Sequence, residues 1–185
     1  MRRALDTLYA AALWASALCL AAIALMVGAQ LAGRILDGTL ALLHLPRTDF
    51  VILSLAEISS YLFAAASFLA LAPTLKAGAH IRVTMALGAL GEGPRRLAEL
   101  FAFGLAAVAT GYIAWQFANF AYVSFRFDEV SPGVVRVPLA YPQAVMAIGA
   151  LILAIALVDE WVTILLRGLP SFRTAEEAFT LGKEG

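Results

Sequence analysis

The chain has 185 residues, of which 62% are hydrophobic and 14% are charged, and its charges balance to a net charge of zero. Soluble domains carry about 25% charged residues, so the composition excludes an ordinary soluble protein, and the zero balance gives no indication of nucleic acid. The single cysteine, Cys19, excludes an internal disulfide and a cysteine metal cluster. Four long uncharged runs hold most of the apolar residues, which is typical of a multi-pass membrane protein.

The first predicted span covers about residues 7–33 and follows Arg2 and Arg3. It is too long for a signal peptide, whose apolar region has about 7–15 residues, so we expect it to remain as a membrane helix. The connection from 34 to 49 is predicted to be a loop that holds a short interfacial helix broken at Pro46.

The second predicted span covers about residues 50–75 and has an acid, Glu57, near its start. Steps of three and four residues from this acid reach Ser60, Ser67 and Thr74, so one face of the helix is small and polar. Such a face favours packing against protein, because hydroxyl groups in lipid need partners. Glu57 lies so near the start of the span that we expect it at the interface or paired with a base on a partner chain.

The connection after the second span begins at Lys76, which marks where the chain leaves the lipid. Gly78 allows a change of direction there, because helix ends commonly need a left-handed residue. His80 and Arg82 then alternate with apolar residues, as in a segment that lies along the membrane surface. Residues 81–90, which begin at Ile81, are predicted to form a short interfacial helix.

The third predicted span covers about residues 100–125. Gly104 and Gly111 recur along it at helical spacing and favour the close approach of another helix. Gln116 and Asn119 are polar within the same run, and contact with a neighbouring helix is their simplest interpretation, since buried amides in lipid must be hydrogen-bonded.

The fourth predicted span covers about residues 137–158 and is expected to end at Asp159-Glu160-Trp161, with the tryptophan at headgroup level. Residues 1–168 then form a single four-helix membrane domain, and residues 169–185 form a polar tail. The termini and the second connection hold nine of the 13 Lys and Arg residues. The positive-inside rule therefore predicts that both termini are cytoplasmic.

The sequence carries no pattern of a catalytic, cofactor or metal site. Its two histidines, His44 and His80, lie outside the predicted spans, so a bis-histidine haem anchor is not supported. Neither a Ser/His/Asp set at one depth nor a glycine-rich phosphate loop is present. No span is broken at mid-depth, as many secondary transporters require. These features predict a protein that is not an enzyme and that packs against another chain.

Three stretches together resemble the small membrane subunit of tripartite ATP-independent periplasmic (TRAP) transporters, the Q or DctQ-like subunit. They are Ala56-Glu57, Ser67-Phe68-Leu69-Ala70 and Lys76-Ala77-Gly78-Ala79-His80-Ile81-Arg82-Val83. The resemblance covers about residues 5–168. A basic residue often follows the acid in the family, whereas Ile58 follows Glu57 here, which leaves the partner of Glu57 open.

The resemblance implies one part of an importer in a bacterial inner membrane. A periplasmic binding protein would deliver a carboxylate, and a large multi-span subunit would hold the substrate and sodium sites, so this chain itself would need no cofactor. The small subunit would pair with the large one in the lipid bilayer and help to dock the binding protein. The expected interface residues are Glu57, Ser60, Ser67, Lys76, Gly78, His80, Ile81, Arg82, Gly104 and Gly111.

Two other functions remain open from the residues alone. The chain could be a self-contained transporter or channel that works as a homo-oligomer, although no ionisable residue lies at the centre of a span. It could also be the membrane anchor of another enzyme. The identity of a transported carboxylate is not encoded in these spans.

Overall fold

The computed structural model describes residues 2–77 and 92–167, and four helices account for most of them. They are α1 (Arg2–Leu42), α2 (Leu55–Lys76), α3 (Glu92–Arg126) and α4 (Ala140–Arg167). All four are long and apolar enough to cross a membrane. The prediction of an all-α protein with four helices of spanning length is therefore confirmed. The interfacial helix predicted for residues 81–90 and the tail from residue 169 lie outside the described residues.

The first helix is much longer than its predicted span. With 41 residues, α1 is about 60 Å long, twice the hydrocarbon thickness of a bilayer. Its continuation to Leu42 shows that the predicted loop is wrong from Arg34 to that residue. A charge ends an apolar run, but it does not by itself end a helix. Pro46 is the first residue in this region that cannot continue one.

The connection between α1 and α2 runs back along the end of α1. The backbone N–H and the hydroxyl of Thr48 donate to Asp37 Oδ1 at 2.7 and 2.6 Å. The backbone N–H of Ile52 donates to Gln30 Oε1 at 2.8 Å. Because these bonds join residues 11 and 22 positions apart, they hold the connection against the helix, and residues 43–51 remain exposed.

The helices pack in an order that differs from their order in the chain. α1 packs on α2, α2 packs on α4, and α4 packs on α3. Small residues allow the close contacts: the Ser16 hydroxyl of α1 donates to the Ala66 carbonyl of α2 at 2.8 Å, and Gly149 of α4 lies against the backbone of Phe68. Such contacts stabilise helix pairs in lipid, where the hydrophobic effect does not drive association. α1 and α3 lie at the two ends of this order.

The buried core lies where α1, α2 and α4 meet. Its residues are Tyr9, Ala12, Leu69, Ala72, Leu75, Ile152, Ala156 and Leu157. On α2 the buried positions are Ala65, Ala66, Leu69, Ala72 and Leu75. The outward sides of α1 and α3 carry many large apolar side chains that remain exposed in the described bundle.

The third and fourth helices also extend past their predicted limits. α3 begins at Glu92 and carries Pro94 in its first turn, where a missing N–H is tolerated. α4 continues through Asp159 and Glu160 to Arg167, so these acids do not end the helix. Both acids form ion pairs with Lys76 at the end of α2.

Candidate functional site

The acids of α4 and the lysine at the end of α2 form a charge cluster at one end of the bundle, here called the Lys76 end. Lys76 Nζ is ion-paired with Asp159 and donates to Glu160 Oε1 at 2.8 Å. The Glu160 side chain is fully buried, whereas the Lys76 side chain retains 20% exposure. A carboxylate buried without a cation is destabilising by several kcal/mol, so the lysine makes this helix pair possible.

The same lysine also contacts α1. Its Nζ lies 5.6 Å from the centroid of the Tyr9 ring, within the range of a cation–π interaction. The Tyr9 hydroxyl is buried and has no hydrogen-bond partner among the described residues. Beside it lies a cavity of about 440 Å³ whose wall includes Asp6, Pro73 and Asp159. Three helices are thus joined around one ammonium group.

A second set of contacts joins α3 to α4 at the Lys76 end. The indole N–H of Trp161 donates to the Leu100 carbonyl at 3.1 Å. A Cβ atom at Gly104 would lie only 3.2 Å from that indole nitrogen, so the glycine makes room for the ring. Arg96 donates to the Leu165 carbonyl at 2.9 Å. Gly104 therefore lies against a side chain of this chain, and its contact with a partner helix stays a prediction.

Glu57 lies at the opposite end of the bundle, here called the Glu57 end. The Tyr61 hydroxyl donates to Glu57 Oε1 at 3.1 Å. The connection between α3 and α4 covers the acid so closely that a Cβ atom at Gly133 would lie 2.7 Å from Glu57 Cδ. The backbone N–H of Val135 donates to Ser54 Oγ at 3.0 Å. Within the described residues, Glu57 is thus held by a phenol and a glycine turn.

The small polar face of α2 is exposed at its two serines. Ser60 and Ser67 are exposed, and each donates to a carbonyl of its own helix at 2.8 Å, four residues earlier. Thr74 does the same at 2.9 Å. Their hydroxyl groups are therefore already satisfied, and the packing of this face against another chain stays a prediction.

The remaining predicted interface residues have no observed contact that assigns them a role. A Cβ atom at Gly111 would meet nothing within 4 Å, so no described element approaches this glycine closely. Gly78, His80, Ile81 and Arg82 lie outside the described residues. Among residues 2–77 and 92–167, no group of three or more His, Cys, Asp or Glu side chains is placed to hold a metal ion.

The outward face of α3 combines aromatic and polar side chains. Gln116 Nε2 donates to the Tyr112 hydroxyl at 2.9 Å, and Arg126 donates to the Tyr122 hydroxyl at 3.0 Å. Between these pairs lies a cavity of about 260 Å³ lined by Trp115, Ala118, Asn119 and Tyr122. This face is exposed, although it belongs to a helix of spanning length.

Neither the ion pair nor the close helix crossing at Gly149 was predicted from the sequence. A basic residue at the end of one span and two acids at the end of another are a usable signal for a charge pair at the same depth. The crossing at Gly149 had no such signal, because a glycine in an apolar run does not reveal which helix lies beside it.

Comparison with known proteins identifies one family. The family model described as "Tripartite ATP-independent periplasmic transporters, DctQ component" matches residues 24–167. This range includes all of α2 and α3, nearly half of α1 and all of α4. Comparisons with curated proteins and with solved structures gave no match.

Proposed function

The chain belongs to the DctQ family of TRAP transporter components, and from this premise we propose that it is a non-catalytic scaffold that pairs with a large membrane subunit. The large subunit holds the substrate and sodium sites, and a periplasmic binding protein that this chain helps to dock delivers a carboxylate. The complex lies in a bacterial inner membrane, with both termini of this chain in the cytoplasm. The sequence resemblance and the charge distribution of the connections support these details.

The observation that carries the proposal is the small amount of burial within the chain. Only 11% of the most apolar stretch of α1 and of α3 is buried, compared with 39% for α4. Exposed apolar surface of this extent must be covered by lipid or by another membrane protein. A scaffold subunit that enlarges a companion in the bilayer has this property.

The arrangement of charge supports a structural role over a conducting one. Lys76 is neutralised by Asp159 and Glu160, and Arg95 is paired with Glu99 at 3.3 Å. These groups lie near helix ends and join helices or successive turns. A solute pathway through the described bundle would instead be expected to present ionisable groups at mid-depth.

Reconstitution tests the proposal directly. Vesicles would contain this chain, the large subunit, or both. The binding protein, loaded with its own radiolabelled carboxylate, would be supplied outside, and an inward sodium gradient would be imposed. We expect uptake only when both membrane subunits are present. Uptake by this chain alone would establish the self-contained transporter, and a soluble enzyme as the sole stable companion would establish the membrane anchor.

The orientation needs a separate experiment. A phosphatase that is active only outside the cytoplasm would be fused after Gly185 in one protein. In a second protein it would be inserted into the connection between α3 and α4. The proposal predicts activity for the second fusion alone. The reverse pattern would invert the orientation without changing the pairing of subunits.

A further inference from the structure

The two helices at the ends of the packing order, α1 and α3, have different outward faces. On α1, every exposed residue between Ala10 and Ala29 is apolar. On α3, the exposed face includes Asn119, whose side chain makes no hydrogen bond to a described residue. Lipid chains can cover the apolar face of α1, but they cannot form hydrogen bonds with the carboxamide of Asn119.

The amide of Asn119 lies inside the uncharged run of α3 rather than at its end. Asn119 lies seven residues before Arg126, about 10 Å along the helix axis, and Trp115 lies about 16 Å from the same arginine. Aromatic belts sit at headgroup level. Trp115 is 71% exposed and Tyr122 is 56% exposed, so both rings project from the helix within the uncharged run.

The side chains of Trp115, Asn119 and Tyr122 border an open notch on the surface of α3. The cavity of about 260 Å³ has the Trp115 and Tyr122 rings as walls, with Asn119 and Ala118 beside them. The neighbouring polar groups are occupied by one another, Gln116 with Tyr112 and Arg126 with Tyr122. The carboxamide of Asn119 therefore remains able both to donate a hydrogen bond to a partner side chain and to accept one from it.

We propose that this notch is the docking point for a transmembrane helix of the large subunit, which inserts one side chain between Trp115 and Tyr122 and hydrogen-bonds to Asn119. The inference rests on the proposed pairing and names the face that carries it. An uncharged polar group at this depth fits an uncharged polar partner, since none of the four residues that line the notch carries a charge.

The helix itself supplies a matched control. Phe120 is also exposed, at 55%, but it projects about 100° around the helix from Asn119 and does not line the cavity. Replacement of a notch ring, Trp115 or Tyr122, can therefore be compared with replacement of Phe120, an exposed ring outside the notch. None of the three rings belongs to the buried core.

The first experiment is site-specific photo-cross-linking in cells that co-express this chain and a separately tagged large subunit. A benzophenone amino acid would replace Tyr122, Trp115 or, as the control, Phe120. We expect a cross-link between the two tagged chains from positions 122 and 115, at least about fivefold stronger than from position 120. A cross-link to a second copy of this chain would overturn the assignment of the partner.

The second experiment measures co-purification of the large subunit with Asn119→Leu, Trp115→Ala and Phe120→Ala. The hydrogen bonds of membrane helices are modest, so we expect a loss of about 3- to 10-fold in retained partner for Asn119→Leu and little change for Phe120→Ala. Equal retention by all variants, with normal pairing of the wild type, would refute this face and leave the proposed function intact. Failure of the wild type to pair would refute both.

Discussion

Gly149 and Phe68 mark a close crossing of two helices, because a Cβ atom at Gly149 would lie 2.6 Å from the backbone carbonyl carbon of Phe68. The backbones of α2 and α4 are therefore in contact at this point. Phe68 also packs edge-on against Phe117 of α3, with ring centroids 5.2 Å apart. One residue of α2 thus fixes the positions of two other helices.

The crossing predicts that Gly149→Ala destabilises the protein, because even one methyl group must displace backbone atoms. We expect a loss of about 1–3 kcal/mol, the usual range for overpacking. Gly28→Ala is the matched control, since a Cβ atom there would meet nothing within 4 Å. Thermal unfolding of the two variants in detergent provides the measurement. Equal melting temperatures for both would contradict the crossing.

The ion cluster predicts a strong effect of Lys76→Met. Removal of one partner from a buried ion pair lowers the free energy of unfolding by about 3–5 kcal/mol. Because Lys76 is partly exposed, we expect a loss of about 3 kcal/mol or less. The triple variant Lys76→Met, Asp159→Asn, Glu160→Gln should recover much of that stability, because no unpaired charge remains. Urea or heat titration of the detergent-solubilised chain would measure both. A triple variant less stable than Lys76→Met would show that the charges are not compensating one another.

The Glu57 end predicts coupling between an acid and a glycine. Gly133→Ala should displace the Glu57 carboxylate and the connection above it, whereas the same substitution in a Glu57→Ala background should be better tolerated. Residues in contact typically show coupling of about 0.5–3 kcal/mol in a double-mutant cycle. Additive effects in the cycle would mean that the two residues do not meet.

The extension of α1 predicts a change in proteolysis. Asp37→Ala removes the acceptor of both Thr48 hydrogen bonds and should release the connection after α1. Limited proteolysis should then cut after Arg47 faster than in the wild type. Asp49→Asn serves as the control, because the Asp49 side chain makes no hydrogen bond with a described residue and asparagine tolerates the positive φ of 50° at this position. Identical cleavage rates for all three proteins would contradict the anchoring role of Asp37.

The number and character of the helices could be predicted from the sequence because uncharged runs report directly on contact with lipid. Their limits could not, and Arg34 and Asp159 show why. Both were assigned to the ends of spans on charge alone, yet the helix continues past each of them. A helix ends where its backbone cannot continue, whereas a charge only marks a change of surroundings or a partner elsewhere.

The candidate site was less predictable because it depends on which helices are neighbours. Gly111 and Gly149 are equivalent as residues in apolar runs, but only Gly149 has a backbone against it. Lys76 was expected to reach the headgroups, and its observed partners are more than 80 residues away on α4. The family resemblance supplied the function, while the packing order could come only from the structure.

The position of α4 between α2 and α3 has a consequence for biogenesis. α4 is the last of the four helices to leave the ribosome, yet it packs on both α2 and α3. While α4 is still being synthesised, α3 has been inserted without its principal neighbour. The bundle therefore closes only after translation of α4, and until then the newly inserted α3 is available to chaperones of the membrane or to a companion subunit made alongside it.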